Sequence, residues 1–492
     1  MSLVKRITLY FLVLIPALGL FVNNIHSKRF NTDEFQHTHL AWAATHFDKL
    51  QYRDLWDNHG PLYTVVNSIF IKSANLGADV STYLAERYLN LLILLLGFLI
   101  LFELFRSVTG KWYFAILGPW FFVTSQFSRF ATQVRPDNLQ CLFFYLALLL
   151  LVKAFQKENH KLAFASGLSL ALMLMTNLKS LSALAAILVS LVLLSFMNKE
   201  SQAMSYLRSL VTGLALLASV FLIALVVGGF MPGYINDNIM FNFVSMQMVE
   251  EAAVKQISLL YTKRHHLLLP LLGISLGFWL YKNLKSKTIN PAWFLVLVTS
   301  SILAISRLKI HLWGQYDLLF IPLLCFIASC FVFYLLEKLI LSKINSQVIK
   351  LLVISPIFIG FVYAGWKKVI HNPRPLARYH QFINERIAKV TELVGEDGRI
   401  ENCGRHVPEL GFLEIASRRI HQHPFIMAAH EKLNSEDLHG ASYVKLLKER
   451  NVKVILASKN IFKFCHSPEF QDHLEQNYVL HDYFWLYLGD KS

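Results

Sequence analysis

SLVTGLALLASVFLIALVVGGF, residues Ser209–Phe230, contains no charged side chain. A bilayer core of ~30 Å needs ~20 apolar residues in a helix, and this stretch supplies them. The same reading extends along the chain. Eleven segments read as spans, at roughly 7–25, 84–104, 112–126, 138–154, 162–178, 181–197, 209–230, 266–282, 291–306, 317–337 and 350–366. Composition agrees. Of 492 residues, 55% are hydrophobic and only 16% charged, which a water-soluble protein of this size could not bury. Disorder, coiled coil and collagen are excluded on the same grounds. The expected fold class is an all-α polytopic membrane protein with a small C-terminal α/β domain outside the membrane.

Lys+Arg 47 against Asp+Glu 32 gives a net charge of +15. In a soluble protein that excess would suggest nucleic acid. Here it falls in alternate short loops: Arg106 and Lys111; Lys153, Lys157 and Lys161; Lys199 and Arg208; Lys282, Lys285 and Lys287; Lys338, Lys343 and Lys350. Basic short loops mark the cytosolic side. They place the N-terminus inside and remove the need for a nucleic-acid partner. The first span follows Lys5-Arg6 and lacks a small-residue cleavage site, so it reads as a retained anchor. An odd number of spans sends the C-terminal tail outside. Short loops and the lack of N-glycosylation sequons point to a bacterial inner membrane. Cys141, Cys325 and Cys330 sit in apolar stretches, and the five cysteines form no metal pattern. Cys403 and Cys465, in the tail, leave a disulfide open.

Residues 1–366 form the expected membrane domain, with two long external loops at 26–83 and 231–265. The second has apolar residues at helical spacing and suits a helix lying in the interface. Residues 367–492, set off by Asn372-Pro373-Arg374-Pro375, form the expected soluble domain. Within it, 379–394 and 443–450 read as helices, and 452–456 and 484–488 as strands.

Ionisable groups gather at external ends of spans, where they are costly and usually functional. The first loop carries Asp33 and Glu34, with His37 one turn on from Asp33. It ends in Trp56-Asp57-Asn58-His59-Gly60-Pro61-Leu62-Tyr63. Arg135-Pro136-Asp137 stands at the start of a span, and Lys179 between two apolar stretches. Arg307, Lys309, His311, Tyr316 and Asp317 cluster near a later junction. Each alone also fits a plain structural account: an acidic first turn, an interfacial His, a surface ion pair or a snorkelling Lys. Together they describe an outward-facing polar cavity at the membrane surface. Transporters more often place such groups at the bilayer midplane.

These motifs resemble, in order and spacing, those of the GT-C glycosyltransferases that use polyprenyl-phosphate sugars. The similarity is to the branch of protein mannosyltransferases and lipid A aminoarabinose transferases. Asp33-Glu34 stands where that family has an acidic pair. His59-Gly60-Pro61-Leu62 stands at a Lys- or His-Pro-Pro-Leu stretch, with Gly60 replacing the first Pro. Asp137 matches a recurring Asp of the second external loop. Thr176 to Lys179 resembles a Thr-Lys element, offset by two residues.

The resemblance implies transfer of a sugar from a polyprenyl phosphate to a hydroxyl of a glycolipid, polysaccharide or protein, with inversion. Asp33 is then the general base, and Asp137 and Glu34 complete the catalytic acids. Arg135, Lys179, His59, Arg307, Lys309, His311 and Tyr316 bind donor phosphate or substrate. No cofactor or required metal is expected; His37, His39 and Glu34 offer ligands, but His-x-His lacks a complete set. A polyprenyl-lipid flippase and a non-catalytic envelope scaffold stand as alternatives.

Overall fold

The computed structural model describes residues 21–26, 32–46, 48–55, 57–77, 80–112, 132–198, 202–243 and 289–309. It adds the four short strands and one helix of the C-terminal region, and scattered positions elsewhere. The helices are α1 (Thr32–His46), α2 (Pro61–Ser73), α3 (Val80–Thr109), α4 (Asp137–Lys157), α5 (His160–Thr176), α6 (Leu181–Met197), α7 (Ala203–Val227) and α8 (Pro291–Lys309). Among the described residues four helical segments are long and apolar enough to cross a membrane: Val80–Thr109, Asp137–Lys157, Leu178–Met197 and Ala203–Val227. His160–Thr176 and Pro291–Ser306 are shorter apolar helices. These six coincide with expected spans. The span expected at 7–25 is described in part, with 21–25 helical, and those expected at 112–126, 266–282, 317–337 and 350–366 lie wholly or largely outside the described residues.

α4 starts directly after Pro136, whose missing N–H costs nothing at a helix start. It ends where Glu158 takes a left-handed conformation, φ 49°. The Asn159 side chain then accepts from the Lys161 amide and starts α5. Small residues bring the helices close. A Cβ on Gly167 of α5 would strike the Leu210 carbonyl of α7, and one on Gly213 of α7 would strike the Phe164 carbonyl of α5. Such contacts let membrane helices pack backbone to backbone. Ser166 and Ser169 donate to the carbonyls of Ala147 and Phe143 on α4, each at 2.8 Å. α7 leaves Val220, Ile223, Val226 and Val227 exposed, as a lipid-facing helix would.

The starts of α3 and α4 and the ends of α5 and α7 meet at one end of the bundle. α1 and α2 cap that end. Arg106, Lys111, Lys153, Lys157, Lys161 and Arg208 fall at the other, where Gln156 of α4 donates to the Ser107 carbonyl after 2.6 Å and His160 meets Ser209 at 3.2 Å.

In the C-terminal region β1 (Arg399–Asn402), β2 (Val452–Leu456), β3 (Tyr478–His481) and β4 (Phe484–Tyr487) form one sheet in the order β1-β2-β4-β3. β1 and β2 are parallel, the other pairs antiparallel. α9 (Pro468–Asn477) leads into β3 and buries Phe470, His473 and Leu474. β2 and β4 occupy the stretches expected to be strands. Positions 381, 385, 388 and 392 are helical, and 443–450 lies outside the described residues.

Candidate active site

α1 opens with Asp33 and Glu34 in its first turn, where carboxylates favour a helix N-terminus. The two acids part company at once. Glu34 is fully buried, and both its oxygens meet Arg87 of α3, at 2.7 Å from Nε and 2.8 Å from Nη2. Its Oε1 also accepts from the Val134 amide at 3.1 Å. Arg87 donates again to the Ile25 carbonyl, 2.8 Å, and lies 4.1 Å from the Phe30 ring centre. Glu34, expected among the catalytic acids, thus sits in a buried ion pair with Arg87. Two N–H groups of Arg87 and the Val134 amide together take three of the carboxylate's roughly four acceptor sites. Glu34 thereby fixes α1 against α3 and the 132–135 turn.

Asp33 turns the other way and is 40% exposed at its side chain. Arg135 Nη1 lies 2.6 Å from Asp33 Oδ2, and Arg135 Nε lies 3.1 Å from Asp137 Oδ2. One buried guanidinium thus spans two carboxylates from distant parts of the chain. Asp137 is buried at the first position of α4, and its Oδ1 lacks a hydrogen-bond partner among the described residues. Arg135 was expected to face phosphate; its near contacts are acids.

Behind this triad lie His37, Asp57 and His59. The imidazoles of His37 and His59 meet edge to face with centres 4.7 Å apart. His59 Nδ1 is 2.9 Å from Asp57 Oδ1. Gln36 donates to Asp57 Oδ1 at 3.1 Å and Gln51 to Oδ2 at 3.0 Å. Gln51 also donates to the His59 carbonyl at 2.9 Å, as does the Tyr52 hydroxyl. Burial pushes His37 down to about 3, with His59 the next cause. Burial and then the Lys179 charge push His59 down to about 3. Burial raises Asp57 to about 6 against the pull of His37. At neutral pH the cluster is a carboxylate between two uncharged imidazoles.

Lys179 sits on a short 3-10 turn, Leu178–Ser180, and its amide donates to the Asn177 side chain at 3.1 Å. That turn accounts for the two-residue offset of Lys179 from Thr176. Lys179 acts electrostatically on both Asp57 and His59, so the turn delivers its charge to the cluster. Gly60 explains the other departure. Its N–H donates to the Thr176 carbonyl at 3.1 Å, and a Cβ there would run into the Met175 carbonyl. Proline offers no such donor.

The segment after α7 packs over the first loop. A π-helical turn, Tyr234–Met240, follows Gly233, where an added Cβ would strike the Tyr52 carbonyl. Asn242 donates to the Asn58 carbonyl at 2.9 Å, and Tyr234 meets Tyr52 edge to face with centres 5.3 Å apart. Burial and then the Asp57 charge raise Asp237 to about 7. The rest of 231–265 lies outside the described residues.

The structure thus brings together Asp33, Arg135, Asp137, His59 and Lys179. Arg307 and Lys309 fall on the last turn of α8, and nothing further is described of their side chains. His311 and Tyr316 lie outside the described residues. Sequence reasoning missed Asp57, Asp237, Glu86 and Arg87 as parts of the site or its support. The signal for the last two was present: adjacent charges within an otherwise apolar span. Glu86 is buried and accepts from Thr38 of α1, the residue after His37.

Residues 69–223 match the family model described as dolichyl-phosphate-mannose-protein mannosyltransferase. The match includes Arg135, Asp137 and Lys179. ArnT from Cupriavidus metallidurans in the apo state has a similar structure, with TM-score 0.62 and 12% identity over 97% of each chain. The chain has the fold of ArnT. Two further solved structures share that fold. ArnT from the same organism bound to undecaprenyl phosphate gives TM-score 0.61 at 12% identity over 99% of each chain. The archaeal oligosaccharyltransferase AglB from Archaeoglobus fulgidus, in complex with an inhibitory peptide and a dolichol-phosphate, gives 0.58 at 13% identity. That likeness covers 93% of this chain and 70% of AglB. No curated protein matches by sequence.

Proposed function

We propose that this chain is a GT-C-type glycosyltransferase that moves a sugar from a polyprenyl-phosphate donor to a hydroxyl of an envelope glycolipid, polysaccharide or protein. The observation that carries the proposal is the Arg135 bridge between a half-exposed Asp33 and a buried Asp137, at one end of a bundle of apolar helices. Titratable groups at such a boundary suit a substrate whose head is polar and whose tail is hydrocarbon.

In this reading the acceptor oxygen attacks the anomeric carbon while its proton passes to Asp33. The bond from that carbon to the phosphate oxygen breaks, the lipid phosphate departs as an anion, and the anomeric centre inverts. A positioned base contributes ~10²–10⁴-fold. Lys179 stabilises the departing phosphate, with His59 orienting it. Arg135 holds Asp33 in place, and Asp137 orients Arg135 or the sugar. Arg307, Lys309, His311 and Tyr316 complete the substrate contacts. A crevice between α3 and α4, lined by Leu94, Phe98, Leu101, Cys141 and Leu142, reaches Asn138 beside Asp137. It offers an apolar path for the first prenyl units.

The undecaprenyl phosphate and dolichol-phosphate bound by ArnT and AglB support this donor class. The basic loops at the opposite end support a cytosolic location for that end and an external, periplasmic one for the site. The α/β domain at 367–492 lies on the external side in the same scheme.

The test compares envelope glycolipids and glycoproteins by mass spectrometry in a deletion strain rescued with wild type or Asp33→Asn. The expected result is a product that lacks one sugar, an accumulated polyprenyl-phosphate sugar, and reversal of both by wild type alone. Full rescue by Asp33→Asn would sink the reading.

A further inference from the structure

We propose that Asp137, Gln140 and Asn177 form a subsite for one hydroxyl of the transferred sugar. The subsite rests on the glycosyltransferase reading and names what this corner of the site holds. Three polar atoms there lack a hydrogen-bond partner among the described residues: Asp137 Oδ1, Gln140 Nε2 and Asn177 Nδ2. The three residues are 4%, 1% and 0% exposed, so bulk water does not serve those atoms. Leaving buried polar atoms unpaired is costly, and three together call for something that pairs with them.

The helices bring the three residues to one place. Asp137 and Gln140 stand three apart at the start of α4, on one face. Ser166 and Ser169 of α5 reach the carbonyls of Ala147 and Phe143, which sets an antiparallel register between α5 and α4. Continued to the end of α5, that register brings Asn177 level with the turn Arg135–Asp137. Lys179 and Asp137 both act electrostatically on His59, so the turn after Asn177 and the start of α4 border the same space. The Asn177 amide has a fixed sense. Its Oδ1 accepts from the Lys179 amide at 3.1 Å, which leaves Nδ2 as the end free to donate.

One acceptor and two donors are the complement of a hydroxyl, which offers one hydrogen and two lone pairs. A phosphate offers acceptors only and would meet the Asp137 carboxylate. An ammonium offers donors only and would leave both amides unpaired. The corner therefore reads a neutral hydroxyl, and the charge of Lys179 beside it is left for the phosphate. A sugar without that hydroxyl would strand three buried groups, which is how a polar site rejects a close analogue.

The experiment measures binding of lipids to the full-length chain, purified in detergent. The probes are undecaprenyl phosphate without sugar, a series of undecaprenyl-phosphate hexoses and pentoses, and the monodeoxy form of each. Wild type is expected to prefer one sugar-bearing lipid and to lose about 10- to 100-fold when one particular hydroxyl is removed. Gln140→Met and Asn177→Ser lack the amide donors, while serine keeps an oxygen for the Lys179 amide. Each is expected to bind the preferred lipid about tenfold more weakly and undecaprenyl phosphate as wild type does, which also shows that it is folded. Variants and wild type should bind the deoxy lipid alike. Variants that keep the full preference overturn the subsite, with water alone filling the corner, and leave the donor reading intact. Should a variant lose undecaprenyl phosphate as well, the wild-type deoxy series decides, and the absence of any one critical hydroxyl overturns the proposal. A wild type that prefers no sugar-bearing lipid also overturns it, and the Asp33 experiment then judges the donor reading separately.

Discussion

Arg135 holds Asp33 at 2.6 Å and Asp137 at 3.1 Å, so the position of the proposed base depends on a fork anchored at the start of α4. A lysine carries the same charge but presents one ammonium instead of a rigid planar fork. Arg135→Lys is expected to leave expression intact and lower kcat about 10²-fold, the cost of a small misplacement of a reacting group. Turnover with purified donor checks this. An unchanged kcat would show that Asp33 needs no such hold.

The Glu34–Arg87 pair predicts a different phenotype. Both side chains are buried, and removing one partner strands the other charge. Glu34→Gln or Arg87→Met is expected to destabilise the folded chain by about 3–5 kcal/mol. The double replacement Glu34→Met with Arg87→Met should lose less than the sum, because no charge is left unpaired. Thermal unfolding in detergent reads both. A Glu34→Gln protein as stable as wild type yet inactive would restore the acid to catalysis.

Gly60→Ala places a methyl group against the Met175 carbonyl. The loop must shift, at a cost of about 1–3 kcal/mol. Because His59 precedes it and Thr176 receives its hydrogen bond, the shift separates His59 from Lys179. The expected kinetic signature is a raised KM for the lipid donor with a smaller change in kcat.

Asp237 gives a pH dependence with a definite sign. Its folded value of about 7 lies above the ordinary 3.8, through burial and the nearby Asp57 charge. Between these values the native state holds more protons than the unfolded chain, so stability falls as pH rises. The loss begins near pH 4 and is complete above about pH 7. Asp237→Asn removes the charge. Its thermal midpoint should exceed that of wild type at pH 8, with the difference vanishing by pH 4.

Much of this architecture was legible in the sequence, for physical reasons that also mark the limits. Spans such as 209–230 declare themselves because a bilayer demands length and apolarity together. Asp33, Arg135, Asp137, His59 and Lys179 stood out because charge at the ends of such spans is expensive. Their mutual pairing was not legible, since Arg135 meets Asp33 across about a hundred positions of chain. The pairing of Glu34 with Arg87 was not legible either, because adjacent acids on a helix point in different directions and only the neighbour on α3 decides which one is neutralised. Asp57 was passed over as a polar loop residue beside Trp56. Its significance lies in His37, which the intervening helix and turn bring back to it. Glu86-Arg87 was hidden inside a stretch counted as apolar by its average.

The backbone contact of α5 with α7 at Gly167 and Gly213 has a mechanical result. α5 ends in the turn that carries Lys179, and α7 leads to the segment that carries Asp237. Locked at mid-length, these two helices behave as a single strut, so neither can tilt to admit a bulky substrate. Freedom is left to the junction beyond α7, where Gly229 adopts φ 72°, a conformation that other residues resist. The chain therefore enters Tyr234–Met240 through a conformation that only glycine tolerates well, and any side chain at 229 would re-aim the segment that lies over Tyr52.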